Sequence, residues 1–170
     1  MSTKQALSSI LAILLFAFTS EVLAKKQPDI DKRMYQTDDC YMIHYNAVIA
    51  SFLPPATAHA YGITRSKKRA LLVVSVRKPL DILEGCKKGQ YKQTQAVTAT
   101  VTAQAANLEG RLETLEIRPV EEGDADSKAI YYLDDFRISN TETWNFTIIV
   151  VIDGQEKEHE IKFSQQFFVD

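Results

Sequence analysis

The chain has 170 residues, 45% hydrophobic and 25% charged, and its 20 basic and 22 acidic side chains leave a formal net charge of −2. That near-neutral balance gives no electrostatic case for a nucleic-acid partner. A chain of this length can also bury a core without needing a metal or a disulfide to hold it.

In chain order, residues 1–24 read as a secretory signal that is cleaved near Ala24. Lys4 supplies the positive start, Ala6 to Phe18 is an apolar run, and Val22-Leu23-Ala24 offers a small residue ahead of Lys25-Lys26. As a helix the run would rise about 20 Å, short of the ~30 Å hydrocarbon core. An uncleaved anchor is the competing reading. Removing the segment takes away Lys4 and Glu21 and leaves the balance at −2. The released product is expected not to span a membrane. Residues 25–39 are polar, carry Pro28 and show no periodicity, so they read as a leader ahead of a folded domain over residues 40–170.

Two cysteines, Cys40 and Cys86, remain after the signal. An even count in an oxidising compartment favours one bridge over two separate thiols.

From Cys40 onward the chain reads as strands. Tyr41, Ile43, Tyr45, Ala47 and Ile49 alternate with more polar neighbours, the period of a half-buried strand. Pro54 to Gly62 reads as one or two helical turns, with proline at the start and a glycine to stop it. Ala70 to Arg77 is apolar at consecutive positions, which places it centrally in a sheet. Pro79 to Thr94 is a polar connection carrying Cys86. Further strands are expected near residues 95–104, 111–118, 128–138, 143–152 and 155–168. Asp153-Gly154 signals a two-residue hairpin turn, which would set Trp144 opposite Phe163 and Phe146 opposite Ile161. About seven strands and one short helix predict an all-β fold, an immunoglobulin-like two-sheet β-sandwich.

The chemistry is sparse. No nucleophile elbow, phosphate-binding loop, dinucleotide fingerprint or zinc-protease motif occurs, and no catalytic residue, cofactor or metal is assigned. Cys40 and His44 are four apart on a predicted strand, about 13 Å from each other and too far to share a metal. His59 and His159 fall on other elements. The acidic run Glu121 to Asp126 has oxygen ligands for calcium but lacks a calcium loop's spacing, and a solvated hairpin loop accounts for it. Asp134 and Asp135 are adjacent on a strand and point to opposite faces. Charge is polarised along the chain: residues 65–88 carry a surplus of basic side chains and residues 109–142 a surplus of acidic ones. The basic stretch reads either as a binding face or as a solvated edge that discourages aggregation.

Tyr45-Asn46-Ala47, Ser51-Phe52-Leu53-Pro54-Pro55 and Ala60-Tyr61-Gly62-Ile63-Thr64-Arg65-Ser66 resemble a family of exported bacterial proteins, domain of unknown function 4426. Asn107-Leu108, Ile130-Tyr131-Tyr132 and Phe163-Ser164-Gln165-Gln166-Phe167 continue the likeness across nearly the whole exported chain. The resemblance implies a small periplasmic protein of Gram-negative bacteria and carries over no catalytic residue. Read from the residues alone, the specific stretch either plugs an open end of the sandwich with Phe52, Leu53, Tyr61 and Ile63 or adds a recognition surface. The candidate binding residues are Tyr61, Thr64, Arg65, Ser66, Lys67, Lys68 and Arg69. The expected function is a non-catalytic binding or accessory module that contacts a periplasmic protein or an anionic envelope component. A hydrolase or inhibitor with a hidden site and a structural envelope component are the alternatives.

Overall fold

Alternating apolar residues build two antiparallel sheets whose apolar faces meet. The computed structural model describes residues 33–80, 86, 91, 93–124 and 127–169. The signal expected over residues 1–24 and much of the connection after Leu80 lie outside these residues. Ten strands occur among them: β1 (Met34–Gln36), β2 (Met42–Ile49), β3 (Arg69–Pro79), β4 (Thr94–Ala96), β5 (Ala99–Asn107), β6 (Leu112–Leu115), β7 (Arg118–Glu122), β8 (Ala129–Arg137), β9 (Thr143–Ile152) and β10 (Glu158–Gln166). One sheet runs β1-β2-β3-β8-β7 with β4 also beside β3, and the other runs β10-β9-β5-β6. The fold is the expected all-β sandwich, with ten strands where seven were expected.

Two of the three additional strands arise where one extended run changes sheets. Val97 N–H still donates to Val76 on β3, whereas Thr98 C=O already accepts from Asp153 beside β9. The run 95–104 therefore divides into β4 and β5 within two residues. Residues 111–118 divide the same way: β6 pairs with β5, and β7 pairs with β8. Pro119 fits because β7 is an edge strand. The third addition, β1, comes from the polar stretch ahead of Cys40 and pairs with Met42 to His44.

The main core lies between the sheets. Ile43, Leu72, Val74 and Val76 from one sheet meet Trp144, Phe146, Ile148 and Val150 from the other. On β5, Val101, Ala103 and Ala105 point inward while Thr100 and Thr102 face water. A second, smaller core covers the outer face of the first sheet. There the short helix α1 (Pro55–Ala60) and the 3-10 turn Ala50–Phe52 set Ala50, Ala58 and Ile63 against Leu71 and Leu133. The central strand β3 is thus buried on both faces, as its continuous apolar run requires.

The helix stop follows from Gly62. Its φ of +64° lets Gly62 N–H reach His59 C=O at 3.1 Å and Ile63 N–H reach Ala58 C=O at 2.8 Å. These are the two bonds of a Schellman cap, and Ile63 and Ala58 share the second core. The end-plug reading is corrected here, because this segment seals a sheet face and Phe52 stays 77% exposed.

The last hairpin keeps its expected faces but not its expected register. Gln155 N–H donates to Ile152 C=O, so a turn forms around Asp153-Gly154. Glu156 and Lys157 then loop out, and pairing begins with Val151 opposite Glu158. Phe146 consequently faces Phe163 and Trp144 faces Gln165. The offset is two residues, so every side chain stays on its predicted face. Phe146 and Phe163 stack at 4.6 Å.

His159, opposite Val150, is buried at 3% exposure and lies against Tyr35. Burial holds its imidazole below the ordinary 6.5, Lys157 pushes the same way, and Asp39 and Asp38 oppose. Burial, with Arg77, also lowers His44. The unfolded chain therefore takes up protons before the folded one, so this contribution to stability is complete above about pH 6.5 and is lost as pH falls toward the folded value. A His159→Leu variant should lose less stability between pH 7.5 and 5 than the parent. Urea midpoints at the two pH values measure this, and parallel slopes would contradict it.

Candidate functional site

The ladder between β3 and β8 brings two cations face to face. Arg69 stands directly opposite Arg137, a like-charge cross-strand pair that costs stability unless an anion intervenes. One residue beyond each, Ile138 N–H donates to Lys68 C=O at 3.0 Å. This locks the loop after α1 to the end of β8.

A cleft of about 490 Å³ opens at this point, lined by Thr64, Ser66, Lys68, Arg69, Arg111, Arg137, Ile138 and Ser139. Four cations and three hydroxyls therefore border one cavity. Arg69 is held in place by Asp135, whose carboxylate accepts from Nε and whose carbonyl accepts from Nη2. Arg111 is bound by Glu113 and lies over the Trp144 ring at 5.3 Å. No side-chain partner of Lys68 or Arg137 occurs among the described residues.

Below the cleft, Asn107 and Glu142 join two turns. Asn107 Oδ1 accepts from the backbone of Glu109 and Arg111, and its Nδ2 donates to Glu142 at 2.7 Å. The second Glu142 oxygen accepts from Ser139 N–H at 2.6 Å. Burial alone would raise the Glu142 carboxyl, but the bonds from Asn107 and Ser139 N–H, with the nearby Arg111 charge, leave it below its ordinary value. Glu142 is thus a fixed anion that holds Arg111 and Ser139 beside the loop.

Of the seven candidate binding residues, Thr64, Ser66, Lys68 and Arg69 line the cleft. Tyr61 and Arg65 support the framework instead. Arg65 donates to the carbonyls of Leu53 and Ser51 at 2.8 and 2.9 Å, clamping the 3-10 turn. Tyr61 packs in the second core and accepts from Arg118 through its carbonyl. Burial, reinforced by Glu122, raises its hydroxyl pKa. Lys67 is outside the cleft lining.

Sequence reading missed Arg111, Arg137 and Ser139. They belong to a segment that is acidic overall, and only strand pairing carries them to the basic loop. The same pairing sets Asp135 on Arg69, so the charge polarity of the linear chain is partly neutralised in space.

Cys40 and Cys86 form the expected bridge, with Cα atoms 5.0 Å apart. The acidic run Glu121 to Asp126 falls partly outside the described residues. Its described part ends in Asp124, whose carboxylate accepts from the Ser127 hydroxyl at 2.6 Å. Asp135 is engaged by Arg69, while Asp134 accepts N–H donors from Glu116 and Asp135 at 2.8 Å. Among the described residues no three metal-ligating side chains converge, and no helix is long and apolar enough to cross a membrane.

Comparison with known proteins agrees with the resemblance read from the sequence. A crystal structure of a DUF4426 family protein from Pseudomonas aeruginosa is 34% identical, with a TM-score of 0.61 over 81% of this chain and 94% of that one. A search of curated proteins found no match. The family model for the domain of unknown function DUF4426 matches residues 35–170, and the chain belongs to that family.

Proposed function

We propose that this protein is a non-catalytic periplasmic binding module that holds an anionic group of a protein or envelope polymer in the basic cleft. The observation that carries the reading is Arg69 set opposite Arg137 beside Lys68. Asp135 balances Arg69, which leaves the charges of Lys68 and Arg137 beside it for an incoming anion to balance. The hydroxyls of Thr64, Ser66 and Ser139 supply further donors.

The nearby acid groups support a binding role. Among the described residues no imidazole lines the cleft, and the carboxylates bonded to its lining residues are engaged: Asp135 by Arg69, Glu113 by Arg111, and Glu142 by Asn107 and Ser139. A hydrolase would need a free base beside one of the hydroxyls. The signal-like start and the Cys40–Cys86 bridge support an oxidising compartment outside the cytosol.

Heparin serves as a soluble polyanion to test this reading. A Lys68→Ala, Arg137→Ala double variant should bind it about tenfold more weakly at low salt, a loss of roughly 1.4 kcal/mol. Removing Arg137 also relieves the like-charge pair, so the variant should be no less stable than the parent. Equal heparin affinity in parent and variant would overturn the proposal.

A further inference from the structure

The edge of β2 carries a second site of a different kind. On one side β2 pairs with β3 along its whole length, Met42 to Ile49. On the other side β1 covers only Met42 to His44. Beyond His44 no described strand pairs with this edge.

Two bonds reveal which backbone groups point outward. Val76 C=O accepts from Val97 on the β4 side, so the even-numbered residues of β3 turn away from β2 and the odd-numbered ones turn toward it. Their partners Asn46 and Val48 are therefore bonded inward; Ala47 directs its N–H and C=O off the edge and Ile49 its N–H, while the Ile49 C=O caps the 3-10 turn Ala50–Phe52. Ala47 N–H confirms this, because Asn46 Oδ1 accepts from it at 2.9 Å. A side chain thus occupies the place of a neighbouring strand's acceptor.

Other sheet edges carry the usual protection against pairing. Edge strand β7 has Pro119, Glu121 and Glu122, and β10 has Glu158, Glu160 and Lys162. The segment Ala47 to Ile49 has neither charge nor proline. It forms one wall of a groove of about 360 Å³ whose other wall is Gln165 to Phe168. Phe52 and Phe168 stand at the groove, 77% and 62% exposed.

Arg33 completes the site. Its guanidinium donates to Asn46 Oδ1 at 2.9 Å and to the Gln165 side-chain carbonyl, and it lies over the Phe163 ring at 5.4 Å. Among the described residues no carboxylate reaches it. A cation held by two neutral amides beside an apolar groove complements a carboxylate carried by an apolar chain.

We propose that the Ala47–Ile49 edge binds an extended peptide of a partner protein as an added strand, with the peptide's carboxylate on Arg33 and its apolar side chains against Phe52 and Phe168. Main-chain hydrogen bonds to Ala47 and Ile49 give the affinity, and the groove selects alternate apolar residues. Asn46 acts as a removable cap that the incoming strand displaces. These residues are separate from the basic cleft, so the proposal does not rest on the anion-binding reading.

The test uses fluorescence polarisation with a labelled pool of six-residue peptides, randomised over valine, isoleucine, threonine and serine and ending in a free carboxylate. The expected result is saturable binding that C-terminal amidation weakens at least fivefold. An Arg33→Gln variant should bind both forms of the pool equally. Ile49→Pro should abolish binding, because it deletes an outward N–H at a φ of −67° that proline accepts. Phe168→Ser, at an exposed position, should weaken it several-fold and serves if the proline variant misfolds. The Lys68→Ala, Arg137→Ala variant should bind the peptides as the parent does. No saturation up to 1 mM, or equal binding of acid and amide forms by the parent, would overturn the proposal. So would Arg33-dependent binding of dodecanoate with no peptide binding.

Discussion

Truncating Phe136 to alanine should destabilise the protein by about 3–5 kcal/mol, the range for deleting a buried aromatic ring that its surroundings cannot replace. Phe136 is on β8 in the first sheet. Its ring meets Trp144 at 5.2 Å and Phe146 at 5.6 Å on the facing β9, and Phe167 at 6.1 Å just past β10. All three contacts are edge-on, at interplanar angles of 66°, 68° and 73°, the arrangement in which the positive rim of one ring meets the negative face of another. One side chain therefore holds both sheets and the C-terminal segment together, and each partner is itself fully buried. Urea unfolding with an unchanged m-value measures the loss. A cost below about 1 kcal/mol would mean that the sheets close over the cavity and that the packing is not rigid.

Replacing both Cys40 and Cys86 by serine should remove up to roughly 4 kcal/mol and lower the melting temperature by about 10 °C. The bridge spans a sequence separation of 46. Opening it restores the corresponding loop freedom to the unfolded chain. In the folded state it ties the connection between β3 and β4 to the turn joining β1 and β2. That turn is already closed by Cys40 N–H on Thr37 C=O and Thr37 N–H on Tyr41 C=O. The variant should therefore keep its fold and lose stability globally. Thermal melts of the oxidised parent, the reduced parent and the double variant test this, and the last two should coincide. A thiol titration of the denatured, unreduced parent should find no free group.

Much of the fold was legible because it is written in short-range pattern. Alternation placed the inward face of β2, β5 and β9 correctly, since a strand half-buried in a sandwich must put apolar residues at every second position. Pro55 at the first helical position and Gly62 at the stop marked α1, because each residue's backbone restrictions act locally. Four of the seven residues proposed for the site do line the cleft. The even cysteine count pointed to the bridge.

The rest required the assembled molecule. Residues 95–104 alternate without interruption, yet Val97 belongs to one sheet and Thr98 bonds beside the other. An extended run keeps the same alternation whichever neighbour it pairs with, so its pattern carries no record of the crossing. The final hairpin shows the same limit. A slip of two residues leaves both faces intact, and only the looping out of Glu156 and Lys157 decides which aromatic meets which. Arg69 and Arg137 belong to segments of opposite overall charge and become neighbours only through the β3–β8 ladder. The sequence by itself thus determined most of the strand segments after Cys40, the face their side chains take, and where the helix ends, because burial and backbone sterics act over a few residues. Tertiary structure alone decided which strands pair, in which register, and so which cations share a cleft and which edge stays open, because those choices depend on burial shared between segments far apart in the chain.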